Sequence, residues 1–122
     1  MNDRFKCRVY VTENDAYPEK VGYVNTEDFY IHPDGEESYF NADYDFAESV
    51  IEQCTGLKDK NGKLIYENDL IKIDDDVAVI KWSDYYARFM LESSEDIFDF
   101  ETTYAEECKV IGNIHTENIN DM

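Results

Sequence analysis

The chain has 122 residues, which lies within the usual size range of a single domain. A composition of 43% hydrophobic and 15% aromatic residues argues against intrinsic disorder, although 33% of the residues are charged. Because 29 Asp and Glu residues oppose 11 Lys and Arg residues, the formal net charge of −18 disfavours nucleic acid phosphates and anionic membranes and favours cationic partners.

The first part of the chain predicts short strands. Three runs of β-branched and aromatic residues have the composition of strands: 6–12, 20–25 and 27–32. Pro33-Asp34-Gly35 then predicts a turn, because Pro fixes its own φ and Gly tolerates a positive φ. Residues 41–53 allow two interpretations, since Phe46, Val50 and Ile51 fit helical spacing while the end of the segment fits a strand equally well.

The second part of the chain predicts a meander. The predicted strands are 70–73, 77–82, 86–91 and 109–114. Asp74-Asp75-Asp76 separates the first two strands as the turn of a hairpin, and Ser83-Asp84 forms the next turn. Residues 94–107 fit either a loop or one amphipathic turn of helix. Strands joined by short loops at this spacing predict a sheet that curls into a small barrel.

Residues 55–71 read Thr-Gly-Leu-Lys-Asp-Lys-Asn-Gly-Lys-Leu-Ile-Tyr-Glu-Asn-Asp-Leu-Ile. Asn61-Gly62 is a strong turn signal and Asp69 precedes an apolar run, so the residues alone predict a β-turn that leads into a barrel strand. The motif also closely resembles the signature of the YopX family of phage and prophage proteins. Asn68 stands where that family usually has Gly.

Two later stretches extend the resemblance to about residues 50–119: Lys81-Trp82 with 87–91, and 110–114, resemble the family's following strands. The family implies a mostly β fold with an SH3-like barrel and a phage or prophage origin, without an agreed activity. We therefore expect one mainly β domain over 1–122 with little helix. In it, a β-rich portion, 1–49, packs on a YopX-like barrel portion, 50–119.

The cysteines and the chain termini predict the compartment. Cys7, Cys54 and Cys108 are odd in number and widely spaced, which fits neither a paired disulfide framework nor a Cys-x-x-Cys metal motif. The reducing cytoplasm of a host cell fits this pattern, and the N-terminus lacks the apolar core of a signal peptide. No apolar run approaches the roughly 20 residues of a membrane span. Cys54 is expected to be a buried structural thiol rather than a nucleophile, since no basic cluster surrounds it.

The sequence contains no recognisable catalytic constellation. His32 and His115 are the only imidazoles, and both are predicted to be surface or strand-end residues. Asp74-Asp75-Asp76 fits a hairpin turn better than a cation site, because a calcium loop needs spaced oxygen ligands and a Gly. Nucleotide-binding and zinc-hydrolase motifs are absent from the sequence. We predict no catalytic, cofactor-binding or metal-binding residues and no enzymatic activity.

Aromatic residues alternate with acids in three segments, 39–46, 84–86 and 96–101. Aromatic rings bury large areas at interfaces, and neighbouring carboxylates steer a basic partner. Filling of the core is the alternative role of these rings. The predicted partner-binding residues are Tyr39, Asp43, Tyr44, Asp45, Asp84, Tyr85, Tyr86, Asp96, Asp99 and Glu101.

These features predict a phage-encoded acidic protein that binds a basic surface of a host protein and inhibits or modulates it. Antagonism of a host defence system and mimicry of nucleic acid are two forms of that function. Direct binding of nucleic acid is not expected, since the only local basic cluster is Lys58, Lys60 and Lys63. Two alternatives stay open: a small metal-binding hydrolase that uses clustered carboxylates, and a self-associating structural phage component that assembles through β edges.

Overall fold

A computed structural model describes residues 6–25, 27, 29–45, 47–94 and 96–115. Within these residues the chain is mainly β with one α-helix, as predicted. The chain divides into two compact units: an N-terminal unit, Cys7–Glu52, and a C-terminal unit, which comprises the described residues from Gln53 onward and Lys6. Asp28, Phe46 and Glu95, which belong to predicted elements or segments, lie outside the described residues. No helix among the described residues is long and apolar enough to cross a membrane.

The N-terminal unit contains short strands that agree in part with the prediction. They are β1 (Cys7–Glu13), β2 (Gly22–Tyr23), β3 (Phe29–Ile31), β4 (Glu37–Tyr39) and the first half of β5 (Glu48–Lys58). β1 lies between β2 and β5, and β3 pairs with β4 across the confirmed turn at Pro33-Asp34-Gly35. The strand predicted at 20–25 is shorter than expected, because a 3-10 helix at Pro18–Lys20 occupies its start.

The segment 41–53, for which the sequence allowed either a helix or a strand, ends in a strand. A 3-10 helix covers Ala42–Tyr44, and β5 begins at Glu48. Val50 is 38% exposed, whereas the adjacent Ile51 packs against the core of the N-terminal unit. This alternation has the period of a strand, so the helical interpretation is wrong from Glu48 onward.

The core of the N-terminal unit encloses one carboxylate beside its apolar cluster. The cluster consists of Val9, Val11, Val24, Phe29 and Tyr44. Glu52 is 0% exposed, and its Oε1 accepts hydrogen bonds from Arg8 Nε and from the Tyr23 hydroxyl, both at 2.8 Å. The Arg8 guanidinium also lies 4.7 Å from the centroid of the Tyr23 ring. These partners compensate the desolvation of the carboxylate.

The C-terminal unit contains an antiparallel five-stranded sheet in the order β10-β9-β8-β7-β11. Its elements are β6 (Leu64–Tyr66), β7 (Asp69–Ile73), β8 (Asp76–Ser83), β9 (Arg88–Glu92), β10 (Ile97–Asp99), α1 (Thr102–Glu107) and β11 (Lys109–Asn113), and β6 pairs with the end of β5. The predicted hairpin and last strand are confirmed. Residues 94–107 contain the predicted helical turn, but also the strand β10, which the sequence did not reveal.

The core of the C-terminal unit combines side chains of this sheet with others from β6 and α1. Ile65, Ile71, Ile80, Leu91 and Val110 come from five different strands and form it with Phe89, Ala105 and Cys108. Ala105 on α1 is 1% exposed, so the short helix closes one side of the cluster. Cys54 and Cys108 are both 0% exposed, which confirms that Cys54 is a buried thiol.

The Asp59 carboxylate organises the turn that carries the family motif. Asp59 is 6% exposed, and its Oδ1 accepts hydrogen bonds from the backbone N–H groups of Asn61 and Lys63, both at 2.9 Å. Its Oδ2 accepts one from the N–H of Val110 on β11, also at 2.9 Å. Burial raises the pKa of Asp59, but the hydrogen bonds, led by that from Val110, and the charge of Lys63 outweigh burial and lower the pKa below its ordinary value.

We expect Asp59→Ala to lower the free energy of unfolding by about 3 kcal/mol, because three N–H groups lose an acceptor at about 1 kcal/mol each. Asp59→Asn should cost less than Asp59→Ala, because the amide has the shape of the carboxylate and its oxygen still accepts hydrogen bonds. Its nitrogen cannot accept, so one of the three N–H donors loses its partner. The folded pKa lies below the unfolded value of about 3.9, so the contribution of the charge is complete above that value and is lost as pH falls through the folded pKa. The free energies of unfolding of wild type and Asp59→Asn, measured with urea, should therefore converge in acid. A difference between them that is the same at every pH would contradict this role of the charge.

Asn68 lies between β6 and β7 in a left-handed backbone conformation and contacts β8 and the residue that follows β11. Its φ is 70°, a conformation that Gly adopts freely and Asn tolerates better than most residues, which explains the Asn at the family's Gly position. The Asn68 N–H donates to the carbonyl of Ile80 at 2.7 Å, and its carbonyl accepts from the N–H of Ile114 at 3.1 Å. Its Oδ1 accepts from Lys81 Nζ at 3.0 Å, so the buried amide also has a partner.

Asn68→Ala should destabilise the protein by about 2 kcal/mol, because a Cβ without a compensating polar group is strained at this φ. Asn68→Gly should cost less, since Gly adopts this φ without strain although the hydrogen bond with Lys81 is lost. Thermal unfolding should rank the proteins wild type, Gly variant, Ala variant from most to least stable. Equal stability of the two variants would show that backbone strain is unimportant here.

Candidate interaction surface

The turn between β8 and β9 presents two tyrosines to solvent. Residues 84–87 form this turn, and Ala87 closes it with a φ of 53°. The backbone N–H of Tyr86 donates to Ser83 Oγ at 3.1 Å. Tyr85 and Tyr86 are 87% and 55% exposed, and their rings meet edge to face with centroids 4.8 Å apart. The predicted strand at 86–91 begins only at Arg88, so Tyr86 belongs to the turn.

Asp84 joins this turn to the sheet through Trp82. The indole Nε1 of Trp82 donates to Asp84 Oδ1 at 2.9 Å. The Trp82 ring in turn packs edge-on against Phe89, with centroids 5.0 Å apart. The contacts from Asp84 through Trp82 to Phe89 therefore connect the turn to the core of the C-terminal unit.

Arg88 joins the turn to the edge strand β10. Its Nη1 donates to Asp99 Oδ2 at 2.9 Å, and its guanidinium lies 5.2 Å from the centroid of the Tyr86 ring. Both charged side chains are about half exposed, so the ion pair contributes at most about 1 kcal/mol to stability. Its main consequence is geometric, since it holds Tyr86 next to β10.

The edge strand β10 exposes large apolar side chains between acids. Ile97 and Phe98 are 59% and 45% exposed, and Asp96 and Glu101 beside the strand are exposed as well. Arg88 connects this strand to the turn through its contacts with Asp99 and the Tyr86 ring, and we call the side chains of the strand and the turn together the β10 edge surface. It comprises Asp84, Tyr85, Tyr86, Asp96, Ile97, Phe98, Asp99 and Glu101. A groove of about 270 Å³ adjoins it, lined by Trp82, Ala87, Arg88, Phe89, Phe100, Thr55 and Leu57.

The remaining predicted partner-binding residues lie in the N-terminal unit. Tyr44 is 8% exposed and stacks on Tyr39, with ring centroids 5.0 Å apart. These two rings therefore fill the core of the N-terminal unit, which is the alternative role of the aromatic residues. Asp43 lies 3.6 Å from Lys20 Nζ, and Asp45 is exposed. Phe40, which is 75% exposed, Ile97 and Phe98 are not among the predicted partner-binding residues, because exposure depends on strand pairing, which has no local signal.

The residues considered for chemistry are not members of this surface. His32 Nε2 is 2.7 Å from Ser38 Oγ on the exposed β3–β4 hairpin, and His115 follows β11. Ile73 pairs with Asp76, which confirms the hairpin turn at the three consecutive aspartates. Among the described residues, no group of three or more His, Cys, Asp or Glu side chains is arranged to hold a metal ion.

Comparison with known families decides the identity of the chain. The protein-family model that is described as YopX protein matches residues 6–119 of the chain. The chain belongs to the YopX family. The match extends beyond the resemblance at 50–119 and includes the N-terminal unit, and membership supports a phage-related protein. A search of curated proteins finds no match.

In this YopX-family protein, Tyr85→Ala combined with Tyr86→Ala should change the free energy of unfolding by no more than about 0.5 kcal/mol, because both rings are largely exposed. Trp82→Ala should cost about 2 kcal/mol, since its half-buried ring packs on the core. Urea unfolding measures both changes. Substantial destabilisation by the tyrosine variant would mean that the rings stabilise the fold instead of forming a free surface.

Proposed function

We propose that this protein is a phage-encoded, non-enzymatic binding protein that acts in the host cytoplasm on a basic surface of a host protein and inhibits or modulates it. The observation that carries the proposal is the β10 edge surface, where exposed Tyr85, Tyr86, Ile97 and Phe98 lie among carboxylates on a chain of net charge −18. Neither nucleic acid nor a membrane is the expected direct partner, since both are anionic.

The two kinds of side chain on this surface have different roles in the proposed complex. Aromatic anchors supply affinity because they bury large areas with few rotatable bonds. Carboxylates supply orientation and speed of encounter, and they discriminate against acidic partners. Arg88, which contacts Tyr86 and Asp99 of this surface, forms an ion pair with Asp99, so it does not repel a cationic partner.

The anionic coat gives this function two specific forms. A host protein that binds nucleic acid presents Lys and Arg side chains to phosphates, and carboxylates spaced on a protein surface can occupy the same side chains. Mimicry of nucleic acid is one form of the proposed inhibition. Antagonism of a host defence system is the biological setting in which a phage benefits from such inhibition.

Affinity capture from a bacterial host lysate tests the role of the aromatic side chains. The wild-type protein should retain a host protein at low ionic strength, and Tyr85→Ala with Tyr86→Ala should lose it. Tyr17→Ala with Tyr30→Ala is the matched control, because these tyrosines are 40% and 49% exposed in the N-terminal unit. Equal capture by both variants, or no capture by wild type, would contradict the proposed surface.

Neutralisation tests the role of charge. Asp84→Asn, Asp96→Asn and Glu101→Gln together should slow association with the captured partner and flatten its dependence on salt, because steering acts on the encounter rate. Glu19→Gln, Glu36→Gln and Glu48→Gln remove the same charge from exposed positions of the N-terminal unit. Surface plasmon resonance at several salt concentrations compares the two variants, and equal association rates would rule out a local electrostatic role.

Self-association as a structural phage component is a second candidate, favoured by the exposed apolar side chains of the edge strand β10. Light scattering distinguishes the two functions. A concentration-dependent oligomer that Ile97→Lys abolishes would favour assembly, whereas a monomer at all concentrations would leave the host-binding function.

We also propose that the sheet of the C-terminal unit forms an SH3-like barrel. Its support is the connectivity: four consecutive strands, β7 to β10, form a meander, a helical turn follows, and β11 returns to pair with β7. A small five-stranded barrel needs this return of the last strand to the first. A crystal structure in which the sheet stays open would contradict it.

A further inference from the structure

A cleft in the C-terminal unit gathers lysines on a chain dominated by acids. Its volume is about 440 Å³, and it is lined by Lys60, Lys72, Lys109, Asp74, Glu107 and Ile111. Three of the 11 basic residues in the sequence thus line one cleft, where they outnumber its two carboxylates. We call it the lysine cleft.

Backbone pairing brings these lysines together from distant parts of the sequence. Lys109 on β11 lies directly opposite Lys72 on β7. Lys60 is fixed beside them because its N–H donates to the carbonyl of Cys108 at 3.0 Å. Like charges directly opposite each other weaken an antiparallel pair, so the fold retains an arrangement that costs stability. Among the described residues, none of the three ammonium groups pairs with a carboxylate, and all three lysines are exposed.

We propose that the lysine cleft binds the phosphoryl group of a small organic phosphate. Ammonium groups bind phosphate oxygens as mobile point charges, and three of them can surround a dianion without a fixed geometry. The cleft volume lies within the range of about 300 to 1,000 Å³ typical of small-molecule sites. Ile111 offers an apolar contact for the organic part of the ligand.

Electrostatics favours a small ligand over a polyanion. The net charge of −18 repels an extended chain of phosphates, whereas a single phosphoryl group interacts mainly with the charges within a Debye length of about 8 Å. Asp74 and Glu107 reduce the local positive charge and limit the cleft to one anionic group.

NMR titration of the full chain with inorganic phosphate and with phenyl phosphate, at ionic strength held constant with sodium chloride, tests the proposal. Both probes should give saturable shifts of the Lys60, Lys72 and Lys109 amides. Phenyl phosphate should bind more tightly and also shift Ile111. Shifts that sodium chloride alone reproduces, or shifts that never saturate, would overturn the proposal.

A charge-matched pair of variants separates the site from the overall charge. Lys72→Gln with Lys109→Gln should abolish the saturable shifts, while Lys20→Gln with Lys58→Gln, outside the cleft, should keep them. The first variant should also melt at a higher temperature than wild type without phosphate, because the opposed charges are gone. Retained binding in the first variant, or equal losses in both, would overturn the proposal.

Discussion

The buried Asp59 carboxylate is the contact on which the C-terminal unit most depends. Two of its hydrogen bonds close the local turn of the family motif, and the third reaches Val110, 51 residues away in sequence. A local turn thereby sets the position of β11, the strand that pairs with β7. The same carboxylate affects the neighbouring core: burial and, after it, the Asp59 charge raise the pKa of Cys108 to about 11, so the thiol stays neutral.

The N-terminal unit solves the same problem with different chemistry. Its buried carboxylate, Glu52, accepts hydrogen bonds from the side chains of Arg8 and Tyr23. Backbone donors are held in place by the strands themselves, whereas long side chains lose rotamer freedom when they form such contacts. Asp59 therefore anchors a turn at little entropic cost, while the Glu52 network orders the side chains of separate strands around one charge.

Although the net charge is −18, several of the few basic residues have specific contacts. Arg8 and Arg88 neutralise particular carboxylates, and Lys81 satisfies the buried amide of Asn68. The three lysines of the cleft lack such partners among the described residues and are set opposite or beside one another. One chain can thus carry both an acidic outer surface suited to a cationic macromolecule and a confined basic cleft suited to a small anion. The two are compatible because salt screens the electrostatic field of each over a short distance.

Much of the fold follows from local chemistry that can be read in the sequence. Alternating apolar residues and turn signals locate β1, β7, β8 and β11, and the motif at 55–71 identifies the family. The short strands β4 and β10 have no such signal, since three residues are too few to show a period. The segment at 41–53 stayed ambiguous for a different reason, since its apolar residues also fit helical spacing until the pairing of β5 selected the strand.

The sequence by itself determined the charge, the β class and the positions of the main turns, because each depends on residue type and near neighbours. Only the tertiary structure decided which aromatic rings are buried: Tyr39 and Tyr44 stack in a core, whereas Tyr85 and Tyr86 face solvent in a similar sequence context. It also decided that Lys60, Lys72 and Lys109 meet. Both outcomes depend on strand register, which is set by long-range hydrogen bonds and leaves no local trace.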